Sequence, residues 1–121
     1  MTLEAIILCL ALNVFYEANN EPLVGKQAVA HVTLNRVNNE NYPDNVCSVV
    51  YQPGQFSWTN EKGRKKPSRA ALEKAKEIAE DALEGRSTDP TMGATHFHNL
   101  TVKPRWKLKR IIRIGNHIFY A

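Results

Sequence analysis

Three groups of residues in this 121-residue chain have types and spacings that can carry chemistry. Glu17 and Glu21 stand on either side of Asn19-Asn20. Carboxylates this close can divide general acid and base roles, as in glycoside hydrolysis. His96 and His98 form an H-x-H pair, which a β-strand turns to one side, as in some metal sites. Tyr51, Phe56, Trp58, Trp106 and Tyr120 lie in or beside polar stretches, close to the basic runs Lys62-Gly63-Arg64-Lys65-Lys66 and Lys107-Leu108-Lys109-Arg110. Aromatic rings among cations make stacking platforms for sugar rings or nucleobases, and composition does not separate the two.

The elements that must hold these residues follow from periodicity. Leu3, Ile6, Ile7, Leu10 and Val14 recur at helical steps, which predicts a first helix ending near Ala18, before Asn19-Asn20 and Pro22. A second helix is expected over Val24 to Val37. Asp44 is the expected N-cap of a short segment running through Val50 and stopping before Pro53-Gly54. Gln55 to Lys66 reads as an exposed functional loop. A further helix is expected from Pro67 or Ser68 to Gly85, with Leu72, Ala75, Ala79, Ala82 and Leu83 as its buried stripe. Thr95 to Asn99 and Arg110 to Tyr120 are rich in β-branched and aromatic residues, with Gly115-Asn116 as the turn between two strands. Helices first and strands last make the class α+β, in one domain spanning residues 1–121.

Glu17 lies within about 20° of both Ile6 and Leu10 on a helical wheel, so it continues the apolar stripe of the first helix. A carboxyl group there is desolvated, and its pKa rises towards the range of a general acid. The competing readings are a side chain bent outward at the helix end and a buried partner of Arg36. The separation of Glu17 from Glu21 is not calculable, because the helix breaks between them. Glu21 can equally serve the N-terminus of the second helix. For His96 and His98 no third ligand stands at a diagnostic spacing, so they read as polar strand residues lining a cleft, and no metal or other cofactor is expected.

Composition narrows the classes further. The apolar stretch from Ala5 to Leu12 is far short of the ~20 residues of a membrane-spanning helix. Glu4 occupies the place where a signal peptide carries basic residues. The expectation is a soluble chain without a signal peptide. Cys9 and Cys47 match neither a disulfide framework nor a metal motif and read as two small buried apolar residues. Residues 1–60 carry two basic and five acidic side chains, net −3, and residues 61–121 carry fourteen and seven, net +7, which sums to +4. A basic second half suits an anionic polymer, either nucleic acid or a cell-wall glycan.

The run Asn13-Val14-Phe15-Tyr16-Glu17-Ala18-Asn19-Asn20-Glu21-Pro22 resembles the first-helix signature of the SleB-like cell wall hydrolase family. The resemblance continues in order through Gly25-Lys26-Gln27-Ala28, Leu34-Asn35-Arg36-Val37, Tyr51-Gln52-Pro53-Gly54-Gln55-Phe56-Ser57, Gly93-Ala94-Thr95-His96-Phe97 and Ile114-Gly115-Asn116-His117. It departs at Asn19-Asn20, where the family has Arg-Gly, and in the unusually basic loop from Thr59 to Lys66. The resemblance implies a lysozyme-like or lytic-transglycosylase-like domain that cleaves the β-1,4 bond between N-acetylmuramic acid and N-acetylglucosamine. It places the catalytic acid at Glu17 and substrate contacts at Phe56, Ser57, Asn99 and Trp106, and the reading of the residues themselves adds Tyr16, Glu21, Trp58, His96 and His98 as expected substrate contacts. It further implies action on peptidoglycan, in the manner of a phage lysin made in the cytoplasm or as an excised catalytic domain, and a monomer without a nucleic-acid partner is expected. A hydrolase using Glu17 and Glu21, a metal-dependent amidase using His96 and His98, and a basic nucleic-acid binding module are the rival classes.

Overall fold

The first helix, α1, runs Leu3–Ala18 in the computed structural model, which describes all residues from Met1 to Ala121. Thr2 caps it, its hydroxyl accepting the Ala5 N–H at 3.1 Å. α2 spans Leu23–Val37, α3 Val46–Val50 and α4 Arg69–Leu83. Ser68 caps α4 by accepting the Ala71 N–H at 3.1 Å, and Gly85 follows the helix with φ +75°. The strands are β1 (His96–Asn99), β2 (Arg110–Ile114) and β3 (His117–Tyr120). They form one antiparallel sheet in the order β1-β3-β2, so β3 is central although it comes last in the chain.

Two apolar clusters support these elements. The larger one joins Leu10, Ala11 and Val14 of α1 with Val46 and Val50 of α3, Ala75, Ile78, Ala79 and Ala82 of α4, and Phe56 and Trp58. The smaller one packs Ala28 and Val32 of α2 and Ala94 against Ile114 and Phe119 of the sheet. Phe97, paired with Phe119 across β1 and β3, touches both and fastens the sheet to the helices. The opposite face carries His96, His98 and Tyr120, as the pairing of His96 with Tyr120 requires.

Several expectations are corrected. The cap of α3 is Asn45 rather than Asp44: its side chain accepts the Ser48 N–H at 2.9 Å. The stretch from Gln55 to Lys66 is not uniformly an exposed loop. Ser57–Asn60 form a 3₁₀ turn, and Phe56 and Trp58 are each only 4% exposed. Cys9 and Cys47 are not independent buried thiols. They form a disulfide with Cα atoms 5.3 Å apart, because α3 packs across α1 and brings the two small side chains face to face. Their separation along the chain carries no trace of that packing. No helix is long and apolar enough to cross a membrane.

Candidate active site

Glu17 sits in the last turn of α1, half-buried between the helices and the segment after α3. Burial pushes its carboxyl up from the ordinary 4.5 to about 7. The Arg36 guanidinium opposes that rise, and the Glu61 carboxylate adds to it. Arg36 forms no ion pair with Glu17. The outward-bent and salt-bridged readings of Glu17 therefore both fail. What remains is a carboxyl group that is partly protonated near neutral pH, as a general acid requires.

The residues around it are held rigidly. Tyr16 stacks on Trp58 with ring centroids 4.7 Å apart and planes at 20°. The Trp58 indole N–H donates to Asn13 Oδ1 at 2.8 Å, and Asn13 Nδ2 reaches the Thr33 hydroxyl at 3.4 Å. Asn13 is completely buried, so this pair of bonds satisfies a polar group in the core and locks α1, α2 and the 3₁₀ turn together. Phe56 is also a core residue. Its outer face meets Arg36, whose guanidinium carbon lies 5.2 Å from the Phe56 ring and 5.1 Å from the Tyr42 ring. Arg36 Nε donates to the Thr95 carbonyl at 2.7 Å. A buried cation is thus fixed beside Glu17 by two rings, the Thr95 carbonyl and the Gln55 side-chain oxygen, which accepts at 3.4 Å, instead of by a carboxylate.

Thr95 leads into β1, and the chain of contacts continues along it. His96 Nδ1 lies 2.9 Å from the Thr95 hydroxyl, and its Nε2 is 3.5 Å from the Tyr42 hydroxyl. Burial, with help from the Arg36 charge, holds this imidazole below the usual histidine range, so it is neutral at pH 7. Trp106 lies edge-on to both His96 and His98, at 5.1 and 5.7 Å. His98 is buried, with Nε2 at 2.8 Å from the Tyr120 hydroxyl and Nδ1 at 2.7 Å from the Asn99 carbonyl. The two histidines share a face as expected, but no third His, Cys, Asp or Glu joins them in a metal-holding group.

The other residues expected at the site fall in different places. Glu21 is a correction: its side chain is 6% exposed and turned to the far end of the sheet. Oε1 accepts the Asn116 N–H at 2.8 Å, Oε2 accepts the Asn116 amide at 3.1 Å, and His117 Nδ1 is 3.7 Å away. Gly115 has φ +57°, and a Cβ there would come within 2.5 Å of Glu21 Oε1. Both carboxylate oxygens are thus engaged by the β2–β3 turn. Phe56 and Trp58 act as buried walls rather than open platforms, since their faces are already covered by Arg36 and by Tyr16. Ser57 is exposed beside them. Asn99 is exposed at the end of β1, its Oδ1 accepting from the Thr101 N–H and hydroxyl at 3.0 and 2.6 Å. Tyr16, Glu17, Phe56 and Trp58 are brought together; His96, His98 and Trp106 form a second group, linked to the first through Tyr42 and Arg36. Tyr42 and Glu61 were given no role in the sequence, and Asn13 entered only as the first residue of the resembling run. Asn13 was readable, lying four residues before Glu17 inside an otherwise apolar helix, whereas Glu61 was hidden in a charged run.

The cell wall hydrolase family profile matches residues 20–120. A spore cortex-lytic enzyme of Halalkalibacterium halodurans is 38% identical over 117 residues, covering 88% of this chain and 32% of its own length. The Bacillus subtilis spore cortex-lytic enzyme is 36% identical, with 91% and 35% covered. This chain therefore spans about a third of these relatives. Among solved structures, the catalytic domain of Bacillus cereus SleB superposes with a TM-score of 0.81 at 30% identity, over 100% of this chain and 93% of that one. The catalytic domain of the germination-specific lytic transglycosylase SleB from Bacillus anthracis gives 0.82 at 31% identity, over 99% and 97%. By profile, by identity along its length and by the arrangement of its helices and sheet, this chain belongs to the cell wall hydrolase family.

Proposed function

We propose that the protein degrades peptidoglycan as a lytic transglycosylase, cleaving the β-1,4 bond between N-acetylmuramic acid and N-acetylglucosamine. The observation that carries this is the carboxyl group of Glu17, poised at about 7 by burial, and the engagement of both Glu21 oxygens by Asn116 supports a single-carboxyl mechanism. In the first step protonated Glu17 gives its proton to the glycosidic oxygen as the bond to C1 breaks. In the second step the same group, now a carboxylate, takes the proton of the muramic 6-hydroxyl, which attacks C1 and closes a 1,6-anhydro ring. Acid and base are one residue, the nucleophile belongs to the substrate, and no metal is required. The nearby Arg36 charge stabilises the carboxylate between the two steps; the proton taken from the 6-hydroxyl regenerates the acid form, which burial favours.

A second reading rests on Glu61, the carboxylate whose charge reaches Glu17. If Glu61 activates a water molecule, the enzyme is a hydrolase and its products are reducing sugars one water heavier. Mass spectrometry of digested peptidoglycan separates the readings. The transglycosylase gives 1,6-anhydromuramic ends in the wild type and in Glu61→Gln. The hydrolase gives reducing ends and loses most activity in Glu61→Gln. Activity that survives prolonged chelation supports the metal-free route, and zinc rescue of a chelated, inactive sample would return His96 and His98 to consideration. We further propose that the enzyme works as a monomer on glycan strands and has no nucleic-acid role.

A further inference from the structure

The cations that follow Glu61, from Lys62 to Lys66, take no part in the acid–base chemistry, yet one of them is held firmly in place. Arg64 lies over both rings of the Tyr16–Trp58 stack, with its guanidinium carbon 5.6 and 5.4 Å from their centroids. One of its terminal nitrogens donates to the Glu61 carbonyl at 3.2 Å, which curls the loop back on itself. Lys62, Arg64, Lys65 and Lys66 form no ion pair with any carboxylate. Arg64 is therefore a positioned cation with donors to spare, which is how proteins hold carboxylates.

A groove of about 340 Å³ opens directly beneath it. Leu8, Leu12 and Leu72 form its apolar floor, Arg64 and Lys66 its rim, and Tyr16 its inner end. Tyr16 is the residue before Glu17, and Glu61 at the start of the same loop is close enough to Glu17 to raise its pKa. The groove thus runs along the Leu8-Leu12-Tyr16 face of α1, next to the face that carries Glu17, with an aliphatic lining and a cationic edge. A muramic residue carries an acidic peptide on its lactyl group, with alkyl side chains and free carboxylates, and that chemistry complements the groove.

Building on the reading given above, we propose that this groove is the subsite for the acidic stem peptide of the strand being cut, with Arg64 and Lys66 as carboxylate ligands. Peptide-bearing strands are then preferred over bare glycan, and the preference resides in KM.

The test has two arms. In the first, KM is measured on peptidoglycan strands with intact stem peptides and on strands stripped of them by an amidase. The Arg64→Gln/Lys66→Gln double variant should raise KM on peptide-bearing strands about three- to tenfold more than on stripped strands, and Arg64→Lys should restore part of the difference. In the second, the tripeptide L-alanyl-γ-D-glutamyl-L-lysine is titrated into the wild-type protein, and NMR should show shifts at the Arg64 side chain and the Trp58 indole N–H. Equal KM changes on both substrates, or a titration that leaves those two signals still, overturns the proposal. So does single-stranded DNA that moves the same signals at lower concentration, since the loop is then a phosphate-polymer site. A protein that binds the tripeptide but releases no muropeptides keeps the subsite and refutes the transglycosylase reading instead.

Discussion

Replacing Glu17 with glutamine separates a catalytic acid from a structural carboxylate, because the two roles predict opposite changes in stability. The carboxyl ionises near 4.5 when the chain is unfolded and near 7 when it is folded. Below 4.5 both states hold the proton and the group is neutral towards folding. As pH rises to 7 the unfolded chain ionises first, so stability falls across that window, and above 7 the full cost of a buried charge remains. At about 1.4 kcal/mol per pH unit the ceiling is about 3 kcal/mol, and the partial solvent access of Glu17 reduces it to about 1–2 kcal/mol. Glutamine keeps the shape and removes the charge. Glu17→Gln should therefore melt about 3–8 °C higher than wild type at pH 8 and at the same temperature at pH 4. Muropeptide release should fall about 10²–10⁴-fold, the usual contribution of general acid–base assistance. Calorimetry at the two pH values and a turnover assay on purified walls supply both readouts. Wild-type turnover in the variant, or a melting temperature at pH 8 below that of wild type, refutes the reasoning.

Other outcomes follow from the same geometry. Wild-type kcat/KM should fall as pH rises through about 7, following loss of the Glu17 proton, and a profile flat from pH 5 to 9 would exclude Glu17 as the acid. Glu21→Gln should lose about 1–3 kcal/mol of stability through its bonds to Asn116, yet still yield the same products, as seen by melting and mass spectrometry. Reducing the Cys9–Cys47 bridge, which closes a 38-residue separation, should cost about 4 kcal/mol by loop entropy, measured as the denaturation midpoint with and without dithiothreitol. Trp58→Phe strands the buried Asn13 oxygen and should destabilise by about 1–3 kcal/mol; a neutral result would mean that water takes the place of the indole N–H.

The helices were legible because their signals are local. The apolar stripe of α1 ends where Asn19-Asn20 and Pro22 end it, and Ser68 and Gly85 bracket α4 as capping chemistry requires. Glu17 was legible for the same reason, since helical periodicity alone placed a carboxylate on a buried stripe. The roles of Glu21, Phe56, Trp58 and the cysteines were not, because each depends on a partner far away in the chain. Asn116 is 95 residues from Glu21, and the indole of Trp58 is 45 residues from the Asn13 oxygen that makes it a core residue. A carboxylate beside a loop looks the same in a sequence whether it faces substrate or the amide of a distant turn. The order β1-β3-β2 was equally hidden, since alternation identifies strands but not their neighbours.

The bond between Glu21 and the turn at Gly115-Asn116 also bears on how the molecule comes into being. It closes 95 residues of the chain into a ring whose junction lies only four residues from Glu17. During synthesis, a ribosome that has not yet released residue 116 leaves Glu21 without its two donors and β3, the middle strand of the sheet, unmade. Contacts of such long range form late, because the entropy of closing the loop must be overcome first. A nascent or truncated chain therefore has α1 and its acid, but not the frame that orients them. The frame around the Glu17 carboxyl is completed only when the β2–β3 turn docks on Glu21 and the central strand joins its two neighbours.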